Sequence, residues 1–188
     1  QCAYSGTITT SGTGAFINLG GIVGIAGTIS NCTTSGAINM AGGRMENVGG
    51  IAGRVYSSTT NCISNMSITL NSNANKYGIS NIQYVGGLVG NGVTITNCTT
   101  NGTITASASN SFDSYYAQIN YVGGLVGTAY TISSSSASGA INIKSGKSAQ
   151  YVGGIAGYLR NGVNKSYSTM NISVTPEGQN IGGLAGYG

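Results

Sequence analysis

The chain of 188 residues contains no histidine, one proline and only three acidic residues, and charged side chains make up 5% of it. Each scarcity removes a class of function. Without histidine there is no usual general base for a serine or cysteine nucleophile, and a frequent zinc ligand is missing. The acids Glu46, Asp113 and Glu177 are far apart in sequence. Polysaccharide cleavage needs two carboxyl groups within reach of one bond, which this chain cannot easily supply. The seven basic residues give a net charge of +4 but form no run. A phosphate-binding stripe is therefore absent, and nucleic acid is not an expected partner. No stretch of 18 consecutive apolar residues occurs, so no membrane-spanning helix is expected. The N-terminus shows neither the charged nor the apolar region of a signal peptide, which suits a mature, already processed chain.

What the chain has in quantity is glycine, 33 residues of it, and much of it recurs in one motif. An apolar-glycine box appears at 19–24, 48–53, 85–90, 122–127, 152–157 and 181–186, for example Val85-Gly86-Gly87-Leu88-Val89-Gly90. The first glycines of successive boxes are 29, 37, 37, 30 and 29 residues apart. A period of that size marks a repeat architecture in which each unit covers its neighbour's apolar face. A second motif keeps the same phase. Its leading positions are Cys2, Cys32, Cys62, Cys98, Ser135 and Ser166, each followed six residues later by isoleucine. From double glycine to this Cys/Ser column the spacing is 12 or 13 residues, whereas from the isoleucine to the next double glycine it ranges from 10 to 19. Length variation is thus confined to one corner of the repeat, which also contains Pro176 and, on separate repeats, the acids Glu46, Asp113 and Glu177.

Segments such as Gly102-Thr103-Ile104-Thr105 alternate polar and apolar residues and are bounded by Gly, Asn and Ser. This is the period-2 pattern of half-buried strands, and no sustained 3.6-residue periodicity competes with it. Three glycines in six residues would also cost a helix about 0.8 to 1 kcal/mol each. The fold class expected is all-β: a single-stranded parallel β-helix, or β-solenoid, forming one domain over 1–188. Six coils of about 30–37 residues, with about three short strands each, would stack at about 4.8 Å into a rod on the order of 29 Å long. The double glycine is then explained either by a positive φ at a corner or by another backbone passing very close. Gly-x-Gly triplets here open no helix within a βαβ unit, so a nucleotide-binding reading has no context.

The Cys column places Cys2, Cys32, Cys62 and Cys98 on four successive coils, at a Cα spacing compatible with disulfides. Two alternatives stay open: the pairs Cys2–Cys32 and Cys62–Cys98 are bridged, or the column is a buried ladder of reduced thiols. With no histidine and no Cys-x-x-Cys pair, neither metal nor other cofactor is expected. Asn-x-Ser/Thr sequons at Asn31, Asn65, Asn97, Asn101, Asn164 and Asn171 are candidate glycosylation sites if the chain is secreted. The two long corners, 69–83 and 105–120, lie on adjacent coils and would project together as one lobe. Their aromatic residues Tyr77, Phe112, Tyr115 and Tyr116 suit stacking on sugar rings or on a protein partner, or else folding over the corner's own apolar surface.

Tyr84-Val85-Gly86-Gly87-Leu88-Val89-Gly90 and Tyr121-Val122-Gly123-Gly124-Leu125-Val126-Gly127 resemble the GLUG repeat of bacterial surface adhesins and of large secreted immunoglobulin A proteases. Six copies extend the resemblance over the whole chain, although the first and last, like the second, lack the leading Tyr. In that family the repeats serve as spacers, stalks or binding surfaces, and catalysis resides in separate modules. The resemblance implies a non-catalytic structural or adhesive protein, extracellular or on the cell surface. Low charge and uncapped strand edges point to head-to-tail association with other copies or with flanking repeats of a longer chain. The other expectation is a module that binds a glycan or a host surface protein through the long-corner lobe.

Overall fold

A computed structural model describes residues 1–73, 79–109, 116–146, 148–175 and 177–188. The described residues are strand, bend and irregular backbone with no helix, and every strand pairing is parallel. Each repeat contributes in turn to three sheets. The first sheet contains Cys2–Ser11, Cys32–Gly42, Ile63–Asn73, Thr99–Ser109, Ser136–Ser145 and Tyr167–Thr175, in that spatial order. The second contains Phe16–Gly20, Arg44–Gly49, Ile79–Gly86, Tyr116–Gly123, Ser148–Gly153 and Gly178–Gly182. The third follows each box: Val23–Ser30, Ala52–Thr60, Val89–Asn91 with Thr94–Thr96, Val126–Ser133, Ala156–Asn164 and Ala185–Tyr187. Strands of the first sheet run 9 to 11 residues, longer than the sequence pattern predicts, because Thr, Ser and Asn on the outer face continue the alternation that Ile and Met maintain inside.

Register aligns the sequence motifs into columns. Ile8, Ile38, Ile68, Ile104, Ile141 and Ile172 are successive partners on the first sheet. The inner members of that column are fully buried and pack on Val48, Val85, Val122 and Val152 of the boxes. A second apolar cluster gathers the fourth box residues Ile51, Leu88, Leu125 and Ile155 with the Cys column. On the outer surface, Asn side chains form ladders: Asn61 Nδ2 donates to Asn31 Oδ1 (3.3 Å), and Asn97 Nδ2 to Asn61 Oδ1 (2.7 Å).

The double glycine is required by close approach. A Cβ on Gly50, Gly87 or Gly124 would fall closer than 3 Å to the carbonyl oxygen of Gly87, Gly124 or Gly154, the equivalent glycine of the next repeat. None of these glycines has a positive φ. The left-handed residue stands just before the box instead, at Asn18, Asn47, Tyr84, Tyr121, Tyr151 and Asn180, with φ between 54° and 60°. A second left-handed column, Asn31, Asn61, Asn97, Ser134 and Lys165, precedes the Cys/Ser column, which accounts for the recurring Asn-Cys: Asn tolerates αL better than most residues.

Candidate functional site

A cleft of about 450 Å³ opens on the third sheet, between the second and fifth repeats. Its origin lies in the 12- or 13-residue spacing. Repeats two and five are the 13-residue ones, from Gly49 to Cys62 and from Gly153 to Ser166. Register shifts between Ala26 and Thr28, and between Ala129 and Thr131, show that each holds one extra residue relative to its neighbour. These bulges, around Tyr56-Ser57 and Arg160-Asn161, kink the strand outward. The 12-residue repeats between them lie lower, with Gly92 and Ala129 where the flanking repeats have Val55 and Leu159. Asn91 and Thr128 line the cleft in the column that carries Arg54 at one end and Tyr158 at the other.

Tyr84 and Tyr121, two rungs of a tyrosine ladder, line the cleft. Tyr84, Tyr121 and Tyr151 occupy the left-handed position before successive boxes and stack with centroids 4.9 and 5.0 Å apart. Tyr158 and Tyr187 form a second parallel pair at 5.1 Å. The two ladders meet edge to face, Tyr121 with Tyr158 at 6.1 Å and Tyr151 with Tyr158 at 6.0 Å. Tyr187 covers one face of Tyr158, and Tyr158 itself lines the cleft. Burial, followed by the neighbouring Tyr84, Tyr151 and Tyr158 hydroxyls, raises the Tyr121 pKa. At the other end the Arg54 guanidinium lies over the Tyr56 ring, 4.8 Å from its centroid, a cation–π contact that fixes the planar group and leaves its N–H edge free. Arg160 also lines the cleft, and among the described residues no carboxylate does.

The residues singled out from sequence lie elsewhere. Tyr77, Phe112, Tyr115 and the side chain of Tyr116 fall outside the described residues. Cys2, Cys32, Cys62 and Cys98 are all free thiols, Cys2 exposed and the other three buried. Sγ of Cys32, Cys62 and Cys98 donates to the carbonyl two residues before, each at 3.2 Å. Ser135 and Ser166 make the equivalent bond at 2.7 and 2.9 Å. Burial pushes the Cys32 thiol up. Cys62 and Cys98 titrate as a pair: Cys62 ionises first, drawn down to about 6 chiefly by a hydrogen bond from Cys98, and Cys98 is then pushed far up by that shared hydrogen bond and by burial.

All six sequon asparagines are exposed. Two of them, Asn97 and Asn101, use their amide nitrogens to bridge repeats, Asn101 to Asn65 Oδ1 at 3.0 Å. Glu46 lies on a strand of the second sheet rather than in a corner, and pairs with Arg44. Among the described residues, no group of His, Cys, Asp or Glu could hold a metal ion.

Sequence reasoning missed the cleft because four repeats contribute to it. Two signals were present: the Tyr that leads the three middle boxes, and the alternation of 12- and 13-residue spacings. Comparison of the chain with protein-family models, with curated proteins and with solved structures finds no match in any of the three.

Proposed function

We propose that the chain is a β-solenoid of GLUG-like coils that acts as a secreted or cell-surface structural element, a stalk or filament segment whose coils stack end to end. The observation that carries this reading is the contrast between inner and terminal boxes. Leu88 and Leu125 are fully buried and so are Val85, Val122 and Val152, whereas their equivalents Leu184 and Ile181 are 41% and 45% exposed. Burying each such side chain is worth about 1.5 to 3 kcal/mol. A further coil, from the same polypeptide or from another copy, would cover them. Register supports the same reading, since the last strands leave an unpaired parallel edge of the kind that pairs with more of itself. The reading is non-catalytic: the described acids Glu46 and Glu177 stand on opposite parts of the stack, and there is no histidine.

Gly183 provides the test. A Cβ at its inner equivalents overlaps the next coil's carbonyl, whereas at Gly183 it meets nothing within 4 Å. Gly183→Ala should therefore fold normally yet block addition of a coil at that end. Sedimentation velocity and negative-stain microscopy of the purified chain should show rods that lengthen with concentration, and the variant should remain single and short. A native chain that stays monodisperse at high concentration would refute self-assembly. A second reading, a ligand-binding module, is favoured by the cleft between Arg54 and Arg160.

A further inference from the structure

We propose that the cleft over the third and fourth repeats binds an anionic oligosaccharide, with a carboxylate or sulfate group held by Arg54 or Arg160 and a sugar ring packed against the Tyr158 ring that lines it. This goes beyond the scaffold reading, because a stalk needs no ligand.

Three observations converge on that ligand class. First, the charges: two guanidiniums and no carboxylate among the described residues line the cleft, in a chain where charge is otherwise sparse. Arg54 is half-buried and steadied against Tyr56, so its planar N–H edge is oriented for bidentate contact with a carboxylate or sulfate. Second, the aromatic platform: Tyr158 is stacked on Tyr187 on one side and held edge-on by Tyr121 and Tyr151 on another. The ring is thus held in place, and binding to it orders little that was mobile. Third, the floor: Asn91 and Thr128 present an amide and a hydroxyl between the two arginines, groups that exchange hydrogen bonds with sugar hydroxyls.

Size and shape agree with an oligomer. Arg54 and Arg160 lie three repeats apart, about 14 Å at the spacing of parallel strands, which suits a chain of a few sugar rings. A volume of about 450 Å³ lies within the range of small-molecule sites. Single-stranded nucleic acid fits less well. Both faces of Tyr121 are taken, by Tyr84 and by Tyr151, so successive bases would lack the series of free rings that strand-binding grooves present.

The experiment titrates the full chain with a trigalacturonate, with its neutral methyl ester and with an oligothymidylate, read by calorimetry and by amide chemical shifts. The acid trisaccharide is expected to bind saturably, to weaken several-fold between 50 and 200 mM salt, and to bind at least tenfold more tightly than the ester. Shifts should concentrate on 91–93 and 128–130. Arg54→Gln with Arg160→Gln should weaken it at least tenfold, with an unchanged melting point showing that the fold survives. Tyr158→Leu should weaken acid and ester alike. Absence of saturable binding, equal affinity for acid and ester, or tighter binding of the oligothymidylate would each overturn the proposal. The salt and ester comparisons need no variant, and none of these outcomes bears on rod formation.

Discussion

Replacing Gly87 by alanine tests the close approach on which the whole stack depends. Gly87 N donates to Gly124 O at 3.0 Å, and the next two amides, of Leu88 and Val89, both reach Leu125 O at 2.9 and 3.2 Å. A Cβ on Gly87 would fall onto that same Gly124 oxygen and within 3.3 Å of Thr100. Thr100 cannot yield easily, because its hydroxyl also donates to Gly124 O at 3.0 Å. The two repeats would have to part by about 1 Å at this corner while the other sheets hold them at about 4.8 Å. Overpacking of this kind costs about 1 to 3 kcal/mol, and weakening two of the three corner hydrogen bonds adds about 1 to 2 kcal/mol. The expected loss is about 2 to 5 kcal/mol, a fall in melting temperature of roughly 4 to 20 °C for a chain of this size. Circular dichroism melts of Gly87→Ala beside Gly183→Ala make the comparison internal. The second substitution has the same motif position and chemistry but an open site in the single chain, so at dilutions where the native chain is unassembled its midpoint should move by less than about 2 °C. Equal midpoints for the two variants, or a Gly87→Ala midpoint at the native value, would refute the account of the double glycine.

Ile104→Ala, which removes a fully buried side chain flanked in register by Ile68 and Ile141, should cost about 2 to 5 kcal/mol in a urea titration. In the native chain an alkylating reagent should modify Cys2 quickly and Cys32, Cys62 and Cys98 only on unfolding, as read by intact mass. Cys98→Ser should cost no more than about 1.5 kcal/mol, since serine already fills this column at Ser135 and Ser166 with the same backbone acceptor. The raised pKa of Tyr121 sets a pH dependence. Its neutral form is favoured in the folded state, so its contribution is fully present below pH 10, the ordinary tyrosine value, and is lost as pH rises through the folded value. The melting temperature should fall above pH 10, and less steeply in Tyr121→Phe. An equal slope in both proteins would show that other groups carry the effect.

The parallel, all-β character was legible because two motifs hold one phase through six repeats, and a column repeated that often admits little else. The double glycine's place was legible, but its cause was not. Close approach and positive φ ask for the same residue, and only the position of the left-handed backbone, at Tyr84 or Asn47 rather than at Gly86 or Gly49, separates them. The equivalence of Cys98 and Ser135 could be read from sequence, yet the shared hydrogen bond to the carbonyl two residues back could not. The cleft was hidden for a different reason. Arg54, Asn91, Thr128 and Tyr158 look unrelated along the chain, and they become neighbours only once register is known. The single extra residues in repeats two and five look like noise in a spacing until both are seen to flank the same surface.

Why tyrosine stands at the left-handed position in the middle repeats bears on what that surface is for. Asn18, Asn47 and Asn180 occupy the same backbone conformation in the other repeats, and asparagine is among the residues that enter αL most readily. A bulky side chain there costs about 1 to 2 kcal/mol, so Tyr84, Tyr121 and Tyr151 together carry roughly 3 to 6 kcal/mol of strain. The contacts they make return a similar amount: two stacked and three edge-on aromatic pairs, at about 0.5 to 1.5 kcal/mol each. Stability therefore gives little reason to prefer tyrosine over the asparagine used elsewhere in the column. Strained backbone that is only just offset by local contacts tends to gather where a surface has work to do. Here tyrosine replaces asparagine in three consecutive repeats, and two of the three, Tyr84 and Tyr121, line the cleft between Arg54 and Arg160.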